Sequence, residues 1–598
     1  MKSMLPQSWQ QGQYRVLGMP QGASRSSAAH GRIWKWGGLA AVILFMLWML
    51  CSPKTTFFEL NEHGLCEHPV ARLVRDAEQS FNTTLERQSK SLEEAVAEYR
   101  RRYRMPPPPH FDKWYEFARE RGTVLIDEFD TIYHAILPFW GVTPSVIRSR
   151  VREDLGYENR LMGVSIRKGV VVPLAKGQGD FQDVATQEIL SLFGKWLPDM
   201  DLAFNIHDEP RVVVAHEDLH RMAMKGRSAQ SRLNLDTENL NNTFSNTPVH
   251  PISTVTTTRF NDIERQETWL YSRLSCPPDT PARDLDGGAP DNSSAYAVEP
   301  LGFVFNQTAA SDICLSPSLR RRLGLFDHPN AFKLTNELTP VFSTSRPSSF
   351  QDIVVPSPWY YKDLMSFNSS AAVPWDDKTP DLYWRGGSTG GVSVGGSWRN
   401  LQRQYVLDKL TNPESVYHTL RKKEDVKCKA EGGHTWEIQE ADQAEMQSKF
   451  NTYFIGISHC EEDCWEENSH FFVAPFDDQR EAWKHRYLLD LDGFAYSGRF
   501  YAFMRSASVP FKLTLFREWH ENVLIPWLHY VPINKDVEEV PELIRFFEHD
   551  RAGQVIARRI GEEGQKWALR TLRNEDIEVY MFRLFLEYVL DLLIDDWH

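Results

Sequence analysis

The residues best suited to chemistry gather in Asp381–Leu401, which reads DLYWRGGSTGGVSVGGSWRNL. A short aromatic run, Leu382-Tyr383-Trp384, leads into a loop rich in glycine, serine and threonine, and a helical pattern starts near Ser397. Glycine lets backbone approach a ligand closely and adopt positive φ. A strand, such a loop and a helix N-terminus aim free N–H groups and a helix dipole at one spot, which favours an anion. Arg385 adds a forked cation that matches phosphate. Arg385, Gly386, Gly387, Ser388 and Thr389 therefore read as a cradle for the diphosphate of a nucleotide-linked substrate. A plain surface loop would show the same composition. The loop is neither a Walker loop, for want of Gly-Lys-Ser/Thr, nor a GxGxxG fingerprint.

A second candidate is His207-Asp208-Glu209-Pro210-Arg211, a turn after the apolar run Asp201–Ile206. Ligand chemistry in open α/β sheets gathers at strand ends, although an Asp shortly before proline also suits a structural turn. Asp199-Met200-Asp201, Asp284-Leu285-Asp286 and Asp490-Leu491-Asp492 each match a metal-holding Asp-x-Asp pattern. Repetition of so short a pattern in an acidic chain shows how little it says. The pair Asp490 and Asp492, which closes a strand, is the rival to a metal-free site. Cys460-x-x-x-Cys464 has His459 and His470 nearby but no second cysteine pair to complete a zinc site, so it reads as a disulfide.

Elements must position these residues. The chain has 598 residues, 41% of them hydrophobic, enough for two or three cores. Its net charge is −14, without a long basic run, which excludes a nucleic-acid partner of the usual electrostatic kind. Val70 to Tyr103 has apolar residues at helical spacing and reads as one stem helix that ends before Pro106. From Leu161 the pattern is mixed: two strands around Arg167-Lys168-Gly169, a helix over Phe181–Trp196, a strand over Asp201–Ile206 and another at Val212–Val214. Residues 227–297 are polar and read as long surface loops, an insertion. After the glycine loop come a helix at Trp398–Leu410, strands at Phe454–Ile457, Tyr487–Leu491, Val509–Leu515 and Leu524–Val531, and helices over Val540–Leu593. Alternation of strand and helix from Asp381 predicts a doubly wound sheet.

The N-terminus places the chain. A basic, polar lead precedes Trp34–Cys51, an apolar stretch that just reaches spanning length and lacks a small-residue cleavage site. It reads as an uncleaved anchor with the N-terminus in the cytoplasm and the remainder lumenal. Asn82, Asn241, Asn292, Asn306 and Asn368 each begin an Asn-x-Ser/Thr sequon. Six cysteines follow the anchor, as a disulfide-forming compartment allows, and Cys276 with Cys314 is the favoured pair because both flank one loop-like region.

Several separated stretches resemble one family, the capsule-associated glycosyltransferases of fungi, related to animal protein O-glucosyltransferases. The matching pieces are AVAEYRRRYRMPPPPHFDKWYEFA from Ala95, IDEFDTIYHAILPFW from Ile126, NIHDEPR from Asn205, LYWRGGSTGG from Leu382, YLLDLDGFAYSGRFYAFMRSASVPFK from Tyr487 and EWHENVLIPWLHYVPI from Glu518. They stand in family order over most of the lumenal chain. The resemblance implies an α/β, GT-B-like fold with two Rossmann-like domains facing a cleft, preceded by a single transmembrane helix and a helical stem. It also implies a metal-independent, inverting transferase that uses UDP-glucose or UDP-xylose. The family's catalytic base falls on Asp208; its diphosphate-binding arginines fall on Arg385 and on Arg499, in the stretch that begins at Ser497. Here the loop reads Arg-Gly-Gly-Ser where the family has Arg-Gly-Ser, which leaves open whether Ser388 or Thr389 faces phosphate. Glu518 and His529 lie in matching motifs without an assigned role.

The expected layout is a tail at 1–32, an anchor at 33–51, a helical stem at 52–120, an acceptor-side α/β domain at 121–375 and a nucleotide-sugar domain at 376–560, closed by helices at 561–598. The implied enzyme is a type II protein of the Golgi or ER membrane. It moves xylose or glucose to a hydroxyl of a glycan or protein, with no cofactor and no metal. A non-catalytic sugar-binding or scaffold protein of the same fold is the alternative.

Overall fold

The structure, a computed structural model, describes residues 67–592 except 175–180, 234–249, 331–332, 365–366, 368 and 424–434. The expected anchor, Cys66, Cys428, Asn241 and Asn368 lie outside the described residues. Among the described residues no helix is long and apolar enough to cross a membrane.

Two five-stranded sheets organise the described chain. The first holds β1 (Leu161–Arg167), β2 (Val170–Pro173), β3 (Met200–Asn205), β4 (Phe342–Ser343) and β5 (Ile353–Val354), in the order β2-β1-β3-β4-β5. Lys168 and Gly169, at φ 50° and 77°, form the primed type of turn that joins β1 to β2, since two positive φ values match the strand twist. β1 is antiparallel to both β2 and β3, while β3, β4 and β5 run parallel. The first sheet is thus mixed, a departure from the expected Rossmann-like half. A two-residue turn cannot carry the crossover that a parallel pair needs.

The second sheet holds β6 (Thr379–Gly387), β7 (Phe450–Gly456), β8 (His485–Leu491), β9 (Val509–Leu513) and β10 (Val531–Pro532). Its order is β7-β6-β8-β9-β10 and every pairing is parallel. Strands buried on both faces read as apolar runs. Leu382, Tyr383 and Trp384 of β6 and Leu488, Leu489 and Leu491 of β8 are all buried. The chain leaves β6 first to one side and then to the other, so the order reverses between β6 and β8. Ligands of doubly wound sheets bind in the crevice at such a reversal, beyond the carboxyl ends of the strands.

Other expectations meet local physics. The single stem helix is two helices, Pro69–Glu86 and Leu92–Tyr103. Ser91 caps the second: its hydroxyl accepts from Glu94 N, while the Glu94 carboxylate reaches one residue past the cap to accept from Lys90 N, and the pair restarts the helix. Val70, Leu73 and Val74 pack into the core of the second sheet, and Ala95, Tyr99 and Tyr103 into that of the first. Val212 makes only an isolated bridge to Thr335, and the run expected as a strand from Leu524 is irregular until Val531. The last helix, Asn574–Leu592, returns to pack in the first core, where Tyr99 donates to Glu587 at 2.8 Å. The described part of the polar insertion is more than loop: Ile263, Trp269, Cys276 and Ala282 pack in one buried cluster with Val213, Ile313, Leu319, Phe350 and Phe516, and Cys276 forms the expected disulfide with Cys314. Asn82, Asn292 and Asn306 are exposed.

Candidate active site

The turn that carries Asp208 is fastened from every side. The Asn205 amide donates to Glu209 O at 2.8 Å and to Ser343 Oγ at 3.2 Å. Arg211, buried, donates from Nε to Asn205 Oδ1 at 2.6 Å and from Nη1 to Asn159 O at 2.6 Å. Asp352, buried beneath, accepts from the backbone N–H groups of Arg211 and Val212 and from the Ser343 hydroxyl. Asp208 itself is exposed, and among the described residues no cation or donor pairs with its carboxyl. It is open along one side and walled by protein on the others, and that burial raises its carboxyl above the usual range. The Asp208 charge reaches Tyr496 of the second half, where it is one of the causes, after burial, that raise the phenol. Beside it, burial and the Arg211 charge push His207 down to about 4, so its ring is neutral near pH 7.

The glycine loop leaves β6 at the point of reversal. Gly391, at φ 152°, passes so close to Gly324 that an added Cβ would sit 2.6 Å from the Gly324 Cα, and Gly324 N donates to Gly390 O at 2.9 Å. Ser388 is buried; its hydroxyl donates to Ser458 O at 2.9 Å and accepts from Ser458 N at 2.8 Å. The Thr389 hydroxyl accepts from Arg403 Nη1 at 2.7 Å and keeps its own proton to donate. Of the two hydroxyls, Thr389 is therefore the one with a free donor.

Arg403 went unrecognised in the sequence. It donates to Gly387 O, Asp492 O and Leu491 O, so one guanidinium ties the ends of β6 and β8 together. Burial, with the nearby Arg499 charge, pushes it down to about 9. The available signal was a polar triplet, Gln402-Arg403-Gln404, right after the glycine loop; all three side chains are buried. Arg499 donates to Arg385 O and lies 5.5 Å from the Trp384 ring centroid. Among the described residues it has no carboxylate partner, and burial lowers its guanidinium. The Ser497 hydroxyl is buried and has no partner among the described residues.

Arg385 stands apart from the expected arrangement. Its Nε donates to Asp477 at 2.9 Å, its Nη1 to Trp384 O and Asn451 O at 2.9 and 2.7 Å, and its Nη2 to Asn451 Oδ1 at 2.8 Å. Alternation along β6 turns this side chain toward β7, away from Arg499. The structure brings Gly386, Gly387, Thr389 and Arg499 together at the reversal, and leaves the Arg385 head group committed elsewhere.

The Asp490–Asp492 pair is buried. Asp490 lies 3.1 Å from Lys512 Nζ, and Asp492 accepts from Leu515 N at 2.6 Å. Glu518 joins them, 3.5 Å from Lys512, and accepts from the Tyr360 hydroxyl at 3.1 Å. Burial raises Asp492 and Glu518 each to about 7. His529 is buried, accepts from Ile525 N at 3.0 Å and stacks on Trp567 at 5.4 Å, a packing role. Cys460 and Cys464 form a disulfide.

Comparison with known proteins adds lineage. Residues 419–593 match Glycosyl transferase family 90, a stretch that holds Arg499, Lys512 and Glu518 but neither Asp208 nor the glycine loop. The chain is 24% identical over 295 residues to Protein O-glucosyltransferase 1 of Rattus norvegicus and of Homo sapiens, across 46% of this chain and 62% of each relative. A stretch of 111 residues is 36% identical to the O-glucosyltransferase rumi homolog of Aedes aegypti, 18% of this chain and 26% of that one. The chain thus carries a family 90 domain and is homologous to protein O-glucosyltransferases, while spanning 62% of the length of the first of them.

Proposed function

We propose that this protein is an inverting, UDP-sugar-dependent glycosyltransferase with Asp208 as its general base. One observation carries the reading. A rigidly held carboxylate, without a partner among the described residues, stands just beyond β3, in a turn that Asn330 N ties through Glu209 Oε1 to the segment running along the glycine loop at the reversal of the second sheet.

In this reading the diphosphate lies over the reversal. Glycine-loop N–H groups, the Thr389 and Ser497 hydroxyls and the Arg499 guanidinium meet its charge. A preformed set of donors stabilises a leaving diphosphate without reorganising during the reaction. Asp208 takes the proton of the acceptor hydroxyl as oxygen attacks the anomeric carbon from the face opposite the leaving group, so configuration inverts. The raised carboxyl helps, since a base is most effective with a pKa nearer the working pH. Arg385 acts as a brace between β6 and β7. No metal is needed if cations and amides carry the charge, and Lys512 already neutralises the Asp490 carboxylate.

The donor sugar is glucose or xylose, and the acceptor is a glycan or protein hydroxyl. A lumenal, membrane-anchored placement, and with it the capsule-associated lineage, is part of the same proposal. Two disulfides and surface-exposed sequons suit an oxidising compartment. The test is incubation of the full chain with labelled UDP-glucose, UDP-xylose and other nucleotide sugars, with and without added glycan and protein acceptors. Acceptor-dependent UDP release is expected. Binding of sugars with no nucleotide release under any combination would make the protein a binding module.

A further inference from the structure

A second feature lies where the insertion meets residues 317–322 and 535–536. The buried cluster that holds the Cys276–Cys314 disulfide borders a groove of about 510 Å³ there. Five cations line it: Arg273, Arg320, Arg321, Arg322 and Lys535. In a chain of net charge −14 this is a local inversion of sign. The groove's carboxylates are Asp284, Asp291 and Asp536, and the last two are drawn to Lys535 at 2.9 and 2.5 Å. Arg320 and Arg321 pair with no carboxylate among the described residues. Arg322 reaches Asp536 only at 3.9 Å, lies 3.1 Å over the Tyr405 ring and has a buried Nη1 without a hydrogen-bond partner among the described residues. Unpaired guanidinia gathered on one concavity suit carboxylate or phosphate groups.

The chain that leaves this groove runs directly to the candidate active site. Gln402 N donates to Arg322 O at 2.9 Å, Gly324 N to Gly390 O at 2.9 Å, Val392 N to His328 O at 2.9 Å, and Asn330 N to Glu209 Oε1 at 3.1 Å. Residues 322–330 thus start at the groove, follow the glycine loop and end beside the Asp208 turn. The remaining lining, Gly287, Gly288, Ser318 and Asn400, supplies backbone and small polar groups for hydroxyls. A long nucleic acid would meet the negative charge of the surrounding protein.

We propose that this groove is an acceptor subsite for an acidic glycan, a chain whose sugars carry carboxylate or phosphate groups. The inference rests on the transferase reading and names the acceptor class. Arg320 and Arg321 hold the anionic groups, Arg322 on Tyr405 forms the inner end, and residues 322–330 guide the chain toward Asp208.

The test measures binding to the full chain without turnover. The probes are an oligogalacturonate, a phosphorylated manno-oligosaccharide, a neutral manno-oligosaccharide of equal length, an acidic peptide and inorganic phosphate. Arg320→Glu with Arg321→Glu is the variant, and Arg320→Lys with Arg321→Lys its control; melting temperature and UDP binding check the fold. One or both acidic oligosaccharides should bind more tightly than the neutral one, weaken with salt and lose about tenfold or more in the Glu variant while the Lys variant keeps most of it. Equal binding of the neutral chain, unchanged binding in the Glu variant, equal competition by phosphate alone, or preference for the peptide would each overturn the proposal. UDP-sugar turnover without acidic-glycan binding sinks the groove and spares the transferase. Glycan binding that follows this pattern without any UDP-sugar turnover does the reverse.

Discussion

At the scale of single residues, Arg385 and Arg499, which the sequence offers as a pair of diphosphate ligands beside the base Asp208, part company in their contacts. Asp208→Asn keeps shape and removes basicity. Turnover should fall by about 10²–10⁴ while UDP affinity stays near wild type, because the base touches the acceptor and not the diphosphate. Since burial raises its carboxyl, the acid limb of the pH–rate profile should lie above that of an ordinary aspartate and vanish in Asp208→Asn; an unmoved limb would remove Asp208 from the base role. The arginines should split. Arg385→Ala strips Asp477 and two strands of a charged partner, so it should cost about 1–3 kcal/mol of stability, read as a lower melting temperature. Arg499→Lys leaves the fold close to intact, having no carboxylate to strand, and should weaken UDP binding because a point charge replaces a fork. Matching effects of the two variants on UDP affinity would restore Arg385 to the donor site.

At the scale of elements, the two disulfides do different work. The Cys276–Cys314 bridge closes a separation of 38 residues and the Cys460–Cys464 bridge one of 4. Chain entropy assigns about 4 kcal/mol to the first and about 2 kcal/mol to the second. The short one clasps the segment that holds the glycine loop: Ser458 bonds Ser388, His459 O accepts from Ser393 N, and Asp463 accepts from Ser393 Oγ and Gly396 N. Replacing Cys276 and Cys314 by Ser should mainly lower the melting temperature, and replacing Cys460 and Cys464 should mainly weaken UDP binding. The reverse ranking would detach the short bridge from the loop. Elements of this kind mark the limit of what the sequence discloses. β6 and β8 were legible because burial on both faces leaves a plain apolar run, and the Lys168-Gly169 turn because its chemistry is local. The break at Ser91 was missed, because a continuous apolar stripe from Val70 to Tyr103 outweighed the local signal of Ser91 and Glu94. Arg403 was not, because its value lies in joining Gly387 to Asp492, residues far apart in the chain that only the parallel pairing of β6 with β8 brings together. Asn451 of β7 and Asp477, likewise distant in the chain, hold the Arg385 head group, which no motif states.

At the scale of the whole molecule, buried acids held above their ordinary range set a pH slope. Glu539 is fully buried; one carboxylate oxygen accepts from Asn534 N at 2.5 Å and the other has no partner among the described residues. Burial raises it to about 8, and Asp492 and Glu518 are raised to about 7. In the unfolded chain a glutamate titrates near ~4.3. Between that value and about 8 the folded state therefore holds a proton that the unfolded state has released, and stability falls as pH rises. Histidines act in the opposite sense over a lower window: burial lowers His529 to about 3 and His207 to about 4, so their contribution is lost as pH falls below the ordinary histidine value. The two trends oppose each other up to about pH 6.5, and above it only the acids remain. The melting temperature should thus decline from pH 6.5 to 8, by the equivalent of about 1–2 kcal/mol for one fully coupled proton. Glu539→Gln keeps the shape and the bond from Asn534 N while removing the titration, so the decline should become shallower in that variant. Glu539 touches neither Asp208 nor the glycine loop, and UDP binding at pH 6.5 should stay at its wild-type value. A decline as steep in Glu539→Gln as in the parent chain would assign the slope to Asp492 and Glu518 beneath the reversal of the second sheet.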